Sequence, residues 1–279
     1  MEKIPVRYME AERPDQAAAF SIRDLRGLLA GKDMVQPLHR HEFFYLLILK
    51  QGSGHHEIDF ISYPVEAHSV YLMRPGQVHQ LTLKAGAAGY LIAFHPHFYY
   101  QHDQLLRKVS SNNYYQLAED SCKKIWTLLT YISDEYIAKA DRYQEAIRAQ
   151  LTVFFIELAR QHSRQLPDHV NAYAQERLEE LYDLFKTHIA THKQVSQYAA
   201  LLHLSSYQLN AVTKATVGKP CSALINEYII LEAKRHLLAT ANQVAAIADQ
   251  LGYEDVSYFI RFFKKHTGHS PEVFRTRFK

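Results

Sequence analysis

The sequence predicts an α+β protein with a β-rich N-terminal part and an all-α C-terminal part, and two observations support this. Between residues 35 and 95, short runs of β-branched and aromatic residues alternate with Gly- and Pro-containing turns, as in FFYLLILK followed by QGSG. This regular alternation is typical of a small β-sandwich or β-barrel. From Leu117 onward, apolar residues recur at i, i+3, i+4 and i+7, which is the period of amphipathic helices.

Length and composition limit the class of protein. A chain of 279 residues is long enough for roughly two domains. Its 47% hydrophobic and 22% charged residues are typical of a globular protein and exclude a disordered tail. The longest apolar run, Phe43 to Leu49, is far too short to span a bilayer, so we expect no membrane partner. The segment MEKIPVRYMEAERPD lacks the apolar core of a signal peptide, which predicts a cytoplasmic protein.

The chain has two cysteines, Cys122 and Cys221, which are far apart and outside any metal-ligand spacing. We expect reduced thiols, at least one of them buried, because disulfides are rare in the cytoplasm. A disulfide between them is the minor alternative.

Two helices are predicted to follow the β-rich part, at residues 117–137 and 141–161, and each has a broad apolar face. The apolar residues are Ile125, Leu128, Leu129, Ile132, Leu151, Phe154, Phe155 and Leu158. These faces either close the barrel or pair two subunits. The stretch HSRQLPDH at 162–169 then interrupts the helical pattern and predicts a linker. We therefore expect a barrel at 1–110, a helical segment at 111–165, a linker at 166–175 and a helical domain at 176–279.

The C-terminal part contains an internal repeat. Two segments share one pattern of apolar and turn residues: QVSQYAALLHLSSYQLNAVTKATVGKP at 194–220 and QVAAIADQLGYEDVSYFIRFFKKHTGHSP at 243–271. Each copy is a short helix, a tight turn and a second helix, and the insertions between the copies fall in loops. Residues 221–240 between the copies are predicted to form one long connecting helix. The sequence thus predicts two helix-turn-helix units joined by a helix.

In the second unit, Gly252 supplies a permissive backbone for the turn, and Asp255 is the expected N-cap of the following helix. A helical wheel points one set of side chains inward, namely Phe259, Phe262 and Phe263. It points another set outward, namely Ser257, Arg261 and Lys264. The aromatic residues of this unit are therefore expected mainly in the core, with the basic residues on the surface.

The same wheel applied to the first unit divides its second helix in the same way. The inward set is Leu209, Val212 and Thr213. The outward set is Tyr207, Asn210, Ala211 and Lys214. An outer face of this kind fits the DNA major groove, where Arg pairs with guanine, Asn or Gln with adenine, and Lys with phosphates. One copy alone fits equally well an ordinary helical hairpin with a solvated basic face, but two copies in register favour DNA.

Residues from about 175 to 279 resemble the DNA-binding domain of the AraC/XylS transcription regulators. The matching residues are Ile247, Ala248, Leu251, Gly252, Tyr253, Asp255, Ser257, Tyr258, Phe259, Arg261, Phe263, Lys264, Lys265, Gly268, Ser270, Pro271, Phe274 and Arg275. The resemblance implies that both units enter successive major-groove segments on one DNA face. It also implies a homodimer at the nucleoid with RNA polymerase as a partner, and activation as the commoner mode. The expected DNA contacts are Ser206, Tyr207, Gln208, Asn210, Ala211, Lys214, Ser257, Tyr258, Arg261, Lys264 and Lys265.

The first unit departs from the family pattern at three positions. Ala211 stands where a polar residue is common, Thr213 where an aromatic is common, and His203 replaces the turn glycine. We therefore expect the second unit to carry more of the base readout, and the first to act more through shape and phosphate contacts.

The segments PLHRHEFFYLLILKQGSGHHEID and MRPGQVHQL resemble the two halves of a cupin barrel motif, and such barrels serve as sensors in many AraC-type regulators. His39 and His41 are two residues apart, so on a strand their side chains point the same way. His79 stands where the third histidine of a cupin would lie. Metal-binding cupins also have a Glu at a position that Tyr45 or Leu46 occupies here. We therefore expect these histidines to line a sensor pocket, and we expect no metal and no other cofactor.

The expected ligand pocket is lined by His39, His41, Tyr45 and His79, and its Tyr and His side chains suit a small polar molecule such as a sugar. His55 and His56 follow a glycine turn and are expected to be exposed.

Three functions are compatible with these patterns. The first is a ligand-responsive transcription regulator without enzymatic activity, in which effector binding shifts the arrangement of the DNA-binding domains. The second is a metal-dependent cupin enzyme with an accessory DNA-binding domain, and the missing Glu argues against it. The third is an architectural DNA-binding protein that has no ligand.

Overall fold

The structure is a computed structural model of the chain and describes residues 5–7, 9, 19–165 and 172–277. The chain divides into two compact units, one within residues 5–166 and the other within residues 167–279. The first unit combines β-sheets with helices, and the described part of the second is helical. The predicted α+β class is therefore confirmed.

The strands of the first unit form two five-stranded sheets. Their bounds are β1 Val6–Arg7, β2 Phe20–Asp24, β3 Met34–His41, β4 Phe44–Gln51, β5 Gly54–Ile58, β6 Ile61–Val65, β7 Ser69–Met73, β8 Val78–Leu83, β9 Ala88–Phe94 and β10 Tyr114–Gln116. The first sheet has the order β1-β3-β8-β5-β6, and the second has the order β10-β7-β4-β9-β2. Strands β1, β2 and β10 lie outside the predicted range of 35–95, because short edge strands carry little alternation of their own.

Strand β4 shows why the second sheet reads as a continuous apolar run. Tyr45, Leu47 and Leu49 pack between the two sheets, whereas Leu46 and Ile48 point the other way and pack against helices. Both faces are therefore covered, and every residue from Tyr45 to Leu49 is buried.

The described α-helices of the first unit are α1 Leu25–Leu29, α2 Asp103–Ser110, α3 Glu119–Ala138 and α4 Tyr143–Gln165. Helices α2, α3 and α4 cover the outer face of the second sheet, whereas Leu25 and Leu29 of α1 belong to the core between the two sheets. The apolar faces predicted for α3 and α4 point into one core cluster with Leu46 and Ile48, and within it Ile125 and Phe155 are fully buried. These faces therefore pack on the barrel, which was one of the two alternatives that the sequence left open.

The second unit contains the helices α5 Ala172–His188, α6 Val195–Leu201, α7 Ser206–Val217, α8 Cys221–Ala239, α9 Val244–Gln250, α10 Val256–Thr267 and α11 Pro271–Arg277. The predicted connecting helix at 221–240 is α8. Residues 166–171 of the predicted linker lie outside the described residues, and α5 begins at Ala172, so the linker does not extend to 175 as expected.

Both cysteines are buried and free, as predicted. No helix in the described part of the chain is long and apolar enough to cross a membrane.

Candidate functional site

Strand pairing in the first sheet brings the predicted pocket histidines together. In the β3–β8 ladder, His39 lies opposite His79, and a register shift between Gln36 and His39 marks a β-bulge. His41 follows on the same face of β3, because side chains alternate along a strand. His39 and His79 are fully buried, and His41 is 4% exposed.

The Nε2 atoms of these three rings form a nearly equilateral triangle. The distances are 3.1 Å between His39 and His41, 2.9 Å between His41 and His79, and 2.9 Å between His79 and His39. They form the one group of metal-ligating side chains found among the described residues. The structure thus places three nitrogen donors around a common point.

Outer hydrogen bonds orient two of the rings. His39 Nδ1 lies 2.7 Å from the carbonyl oxygen of Pro37, which belongs to the β-bulge. Because a carbonyl only accepts, His39 carries its proton on Nδ1 and turns the lone pair of Nε2 toward the triangle. His79 Nδ1 lies 2.9 Å from Nε2 of His56 on β5.

Burial keeps the imidazoles uncharged. It lowers the pKa of His39 to about 4 and the pKa values of His41 and His56 to about 3. It also lowers the pKa of His79 well below the usual value. Neutral imidazole is the form in which histidine binds metals or accepts hydrogen bonds.

Tyr45 completes the predicted pocket set. Its ring stacks on His41 with centroids 5.0 Å apart and an interplanar angle of 7°, and its centroid lies 5.3 Å from that of His79. Burial raises the pKa of Tyr45. Its hydroxyl is buried and has no hydrogen-bond partner among the described residues, whereas buried hydroxyls normally have one. Leu46 points to the opposite face of β4, so Tyr45 alone faces the histidines at the position where metal-binding cupins have Glu.

His56 corrects the sequence analysis, which placed both His55 and His56 on the surface. His55 is exposed, but His56 is fully buried. The cause is that His56 points toward the second sheet, where its ring lies against Tyr71 of β7 with centroids 5.1 Å apart. A signal was present in the sequence, because His56 shares the two-residue period of Ile58, an apolar residue that points inward.

The second helix-turn-helix unit comprises α9, a turn and α10, and it has the features expected of it. Gly252 adopts a left-handed φ of +75°. The side chain of Asp255 accepts a hydrogen bond of 2.8 Å from the backbone N–H of Ser257 and so caps α10. Phe259 and Phe263 are fully buried.

The outer face of α10 carries the predicted contact residues of this unit. Ser257, Tyr258, Arg261, Lys264 and Lys265 are all exposed. The guanidinium of Arg261 lies 3.9 Å from the carboxylate of the N-cap residue Asp255. This face therefore offers three cations and two hydroxyls on a helix whose inner face is fixed in the core.

The first helix-turn-helix unit comprises α6, a turn and α7. In its turn, His203 takes a positive φ of 56°. The inward set Leu209, Val212 and Thr213 is buried as the wheel predicts. Ser206, Ala211 and Lys214 are exposed, and Tyr207 is 84% exposed.

Two side chains of this face are engaged in the fold. The side-chain oxygen of Gln208 accepts a 2.8 Å hydrogen bond from the backbone N–H of Ser205 and completes a capping box. Asn210 accepts a 3.0 Å bond from the backbone N–H of Cys221 and donates a 2.9 Å bond to the carbonyl of Ser206. Asn210 thereby caps the start of α8, a role that the sequence analysis did not anticipate.

Lys193 is a second residue that sequence reasoning missed. Its ammonium group donates to the carbonyl oxygens of Ala190 at 3.0 Å and Leu251 at 2.7 Å, and also to that of Ile189. Lys193 therefore connects the chain after α5 to the turn of the second unit. Burial lowers its pKa to about 8.

Two family descriptions match the chain, one in each region. Residues 25–133 match the AraC-like ligand binding domain, and residues 198–277 match a helix-turn-helix domain. The chain belongs to the AraC/XylS family of transcription regulators. It thus combines a ligand-binding domain with a DNA-binding domain.

Relatives of this AraC-type regulator match it over most of its length. The HTH-type transcriptional regulator YfiF of Bacillus subtilis (strain 168) is 22% identical over 262 residues, which cover 87% of this chain and 79% of YfiF. The HTH-type transcriptional activator RhaR of Mannheimia succiniciproducens is 21% identical over 252 residues, which cover 87% of this chain and 88% of RhaR. The structure of ToxT from Vibrio cholerae is 14% identical, with a TM-score of 0.44 over 92% of this chain and 98% of that chain.

Proposed function

We propose that this regulator is a sequence-specific transcription activator that responds to a small molecule bound in its N-terminal barrel. The exposed Arg261 on an otherwise anchored α10 is the observation that carries the DNA-binding part. The buried cluster of His39, His41, Tyr45 and His79 supports the effector site, because convergent polar groups within an apolar barrel are typical of ligand pockets.

Base readout is assigned mainly to the second unit. Arg261 is long enough to form two hydrogen bonds with guanine in the major groove, and Ser257 lies one turn before it on the same exposed face. Lys264 and Lys265 extend from the following turn, where they suit phosphate contacts.

We assign the first helix-turn-helix unit mainly to positioning the protein on the DNA. Gln208 and Asn210 hold backbone groups with their amides, so Asn210 in particular has no free edge for adenine. Tyr207, Ala211 and Lys214 remain exposed, and they offer one ring, one methyl group and one cation. Such a surface suits groove shape, thymine methyl groups and phosphates more than hydrogen-bonded base recognition.

We further infer that the regulator is a homodimer that contacts RNA polymerase, as its family implies. Three large apolar side chains on α3 and α4 support a subunit interface, since Tyr131, Ile137 and Val153 are 47%, 76% and 43% exposed. A dimer strengthens DNA binding by linking two sites. Sedimentation equilibrium of the full chain tests this part.

The experiment that tests the DNA-binding proposal is selection of bound sites from random DNA at a stated salt concentration, because phosphate contacts make affinity salt-dependent. We expect a motif with two segments about one helical turn apart. Arg261→Ala should weaken binding by about 1–3 kcal/mol and relax one base position. As the matched control, Lys265→Ala should weaken binding to all sequences alike. An unchanged motif for Arg261→Ala would refute the assignment.

A further inference from the structure

The three Nε2 atoms of the histidine triangle cannot satisfy one another with protons. His39 Nε2 is an acceptor, because its Nδ1 proton is held by Pro37. If only one of the Nε2 atoms of His41 and His79 carries a proton, the Nε2 atoms of the other two rings face each other with their lone pairs. If both are protonated, their two protons face each other. At distances of 2.9–3.1 Å one contact is therefore repulsive in every arrangement of neutral rings.

A cation at the common point removes this repulsion, because all three nitrogens then act as donors to it. Metal–nitrogen bonds of about 2.1 Å at right angles place their nitrogens about 3.0 Å apart, close to the observed triangle. We propose that His39, His41 and His79 bind one divalent transition-metal ion through their Nε2 atoms, with the three ligands on one face of the ion. Imidazole donors favour Zn²⁺, Fe²⁺, Ni²⁺ or Cu²⁺ over Mg²⁺ or Ca²⁺.

The surroundings of the triangle match those of a metal site. Metal-binding histidines usually hold their other ring nitrogen in a hydrogen bond that fixes tautomer and orientation. The Pro37 carbonyl does this for His39, and Nε2 of His56 does it for Nδ1 of His79. His56 therefore acts as a positioning residue for the ring of His79. This role gives a reason for the burial of His56, which the sequence analysis expected on the surface.

Tyr45 supplies an independent observation. Its fully buried hydroxyl has no hydrogen-bond partner among the described residues, although its ring lies against His41 and His79. A water or effector oxygen on the ion would give this hydroxyl a partner. Because Tyr45 replaces the fourth protein ligand of metal-binding cupins, the ion keeps open coordination positions for such a donor.

The test is titration of the full chain, stripped of metal by a chelator, with Co²⁺ and then with Zn²⁺. We expect one ion per chain, visible absorption bands of imidazole-bound Co²⁺, and displacement of those bands by Zn²⁺. Trp126 is the single tryptophan and lies on α3 of the same unit, so its fluorescence follows unfolding of this unit. Zn²⁺ should raise the melting temperature recorded in this way.

Variants separate the site from other histidines. His79→Ala should abolish the Co²⁺ bands, and His56→Ala should lower the affinity by about 10–100-fold. His55→Ala, an exposed neighbour of His56, and His192→Ala, which breaks the ring pair of His188 and His192 at 5.0 Å, should leave binding unchanged. If a variant fails to fold, the metal stoichiometry of the wild type and the shift of its melting temperature with Zn²⁺ still test the proposal.

Absence of stoichiometric binding to the wild type would overturn the proposal. So would binding that survives His79→Ala and is lost with His192→Ala. Either result leaves the DNA-binding proposal standing, because site selection with the same chain measures it separately.

Discussion

Replacing Gly252 by alanine tests how the second helix-turn-helix unit is held against the rest of its domain. An alanine Cβ at this position would lie 1.6 Å from the carbonyl oxygen of Ala190 and 2.7 Å from its carbonyl carbon. Carbon and oxygen atoms in contact are about 3.3 Å apart, so the turn would have to move by well over 1 Å. The φ of +75° adds a backbone cost of about 1–2 kcal/mol for alanine.

The movement also carries Leu251 away from Lys193. Loss of the 2.7 Å bond from this ammonium to the Leu251 carbonyl costs about 1.5–3 kcal/mol, as for other hydrogen bonds to charged groups. We therefore expect Gly252→Ala to lower the free energy of unfolding of the C-terminal compact unit by about 3–5 kcal/mol. Gly268 provides the matched control, because its φ is +80° and no atom lies within 4 Å of a Cβ built there. Gly268→Ala should cost only the backbone term of about 1–2 kcal/mol.

The assay is urea unfolding of the full chain followed by far-UV circular dichroism and by Trp126 fluorescence. The dichroism reports the helices of both compact units, whereas the fluorescence of Trp126 reports the N-terminal unit, whose midpoint should stay unchanged. A transition that shifts in the dichroism but not in the fluorescence therefore belongs to the C-terminal unit. Equal losses of stability in the two glycine variants would refute the reasoning, because the close approach to Ala190 would then contribute nothing.

Two further predictions concern the same C-terminal compact unit. Because burial lowers the folded-state pKa of Lys193 from 10.5 to about 8, the unfolded chain binds more protons above that pH. Stability should therefore rise from about pH 8 to about pH 9.5 in the wild type relative to Lys193→Met; parallel pH curves from urea unfolding would contradict this. Asn210→Ala removes the cap on Cys221 and should cost about 1 kcal/mol in thermal unfolding while leaving the selected DNA motif unchanged. A motif altered by Asn210→Ala would show that this amide contacts bases after all.

The sequence by itself determined the local features of this protein. The 3.6-residue period was sufficient to place Leu209, Val212 and Thr213 in the core and Arg261 on the surface, because the side-chain directions of a helix follow from residue spacing alone. The internal repeat and its turns identified the two helix-turn-helix units for the same reason. The two-residue period identified strands, but it did not show which strands pair or how many residues the edges contribute.

Only the tertiary structure decided what lies next to what. The triangle of His39, His41 and His79 depends on the register of β3 and β8, and the burial of His56 depends on packing against Tyr71 of the second sheet. The wheel placed Asn210 on the surface, and the sequence analysis made no assignment for Lys193. Yet Asn210 accepts a hydrogen bond from the backbone N–H of Cys221, and Lys193 donates one to the carbonyl of Leu251, 58 residues away. Pairing, register and capping depend on contacts between distant residues, and a periodic pattern carries no information about them.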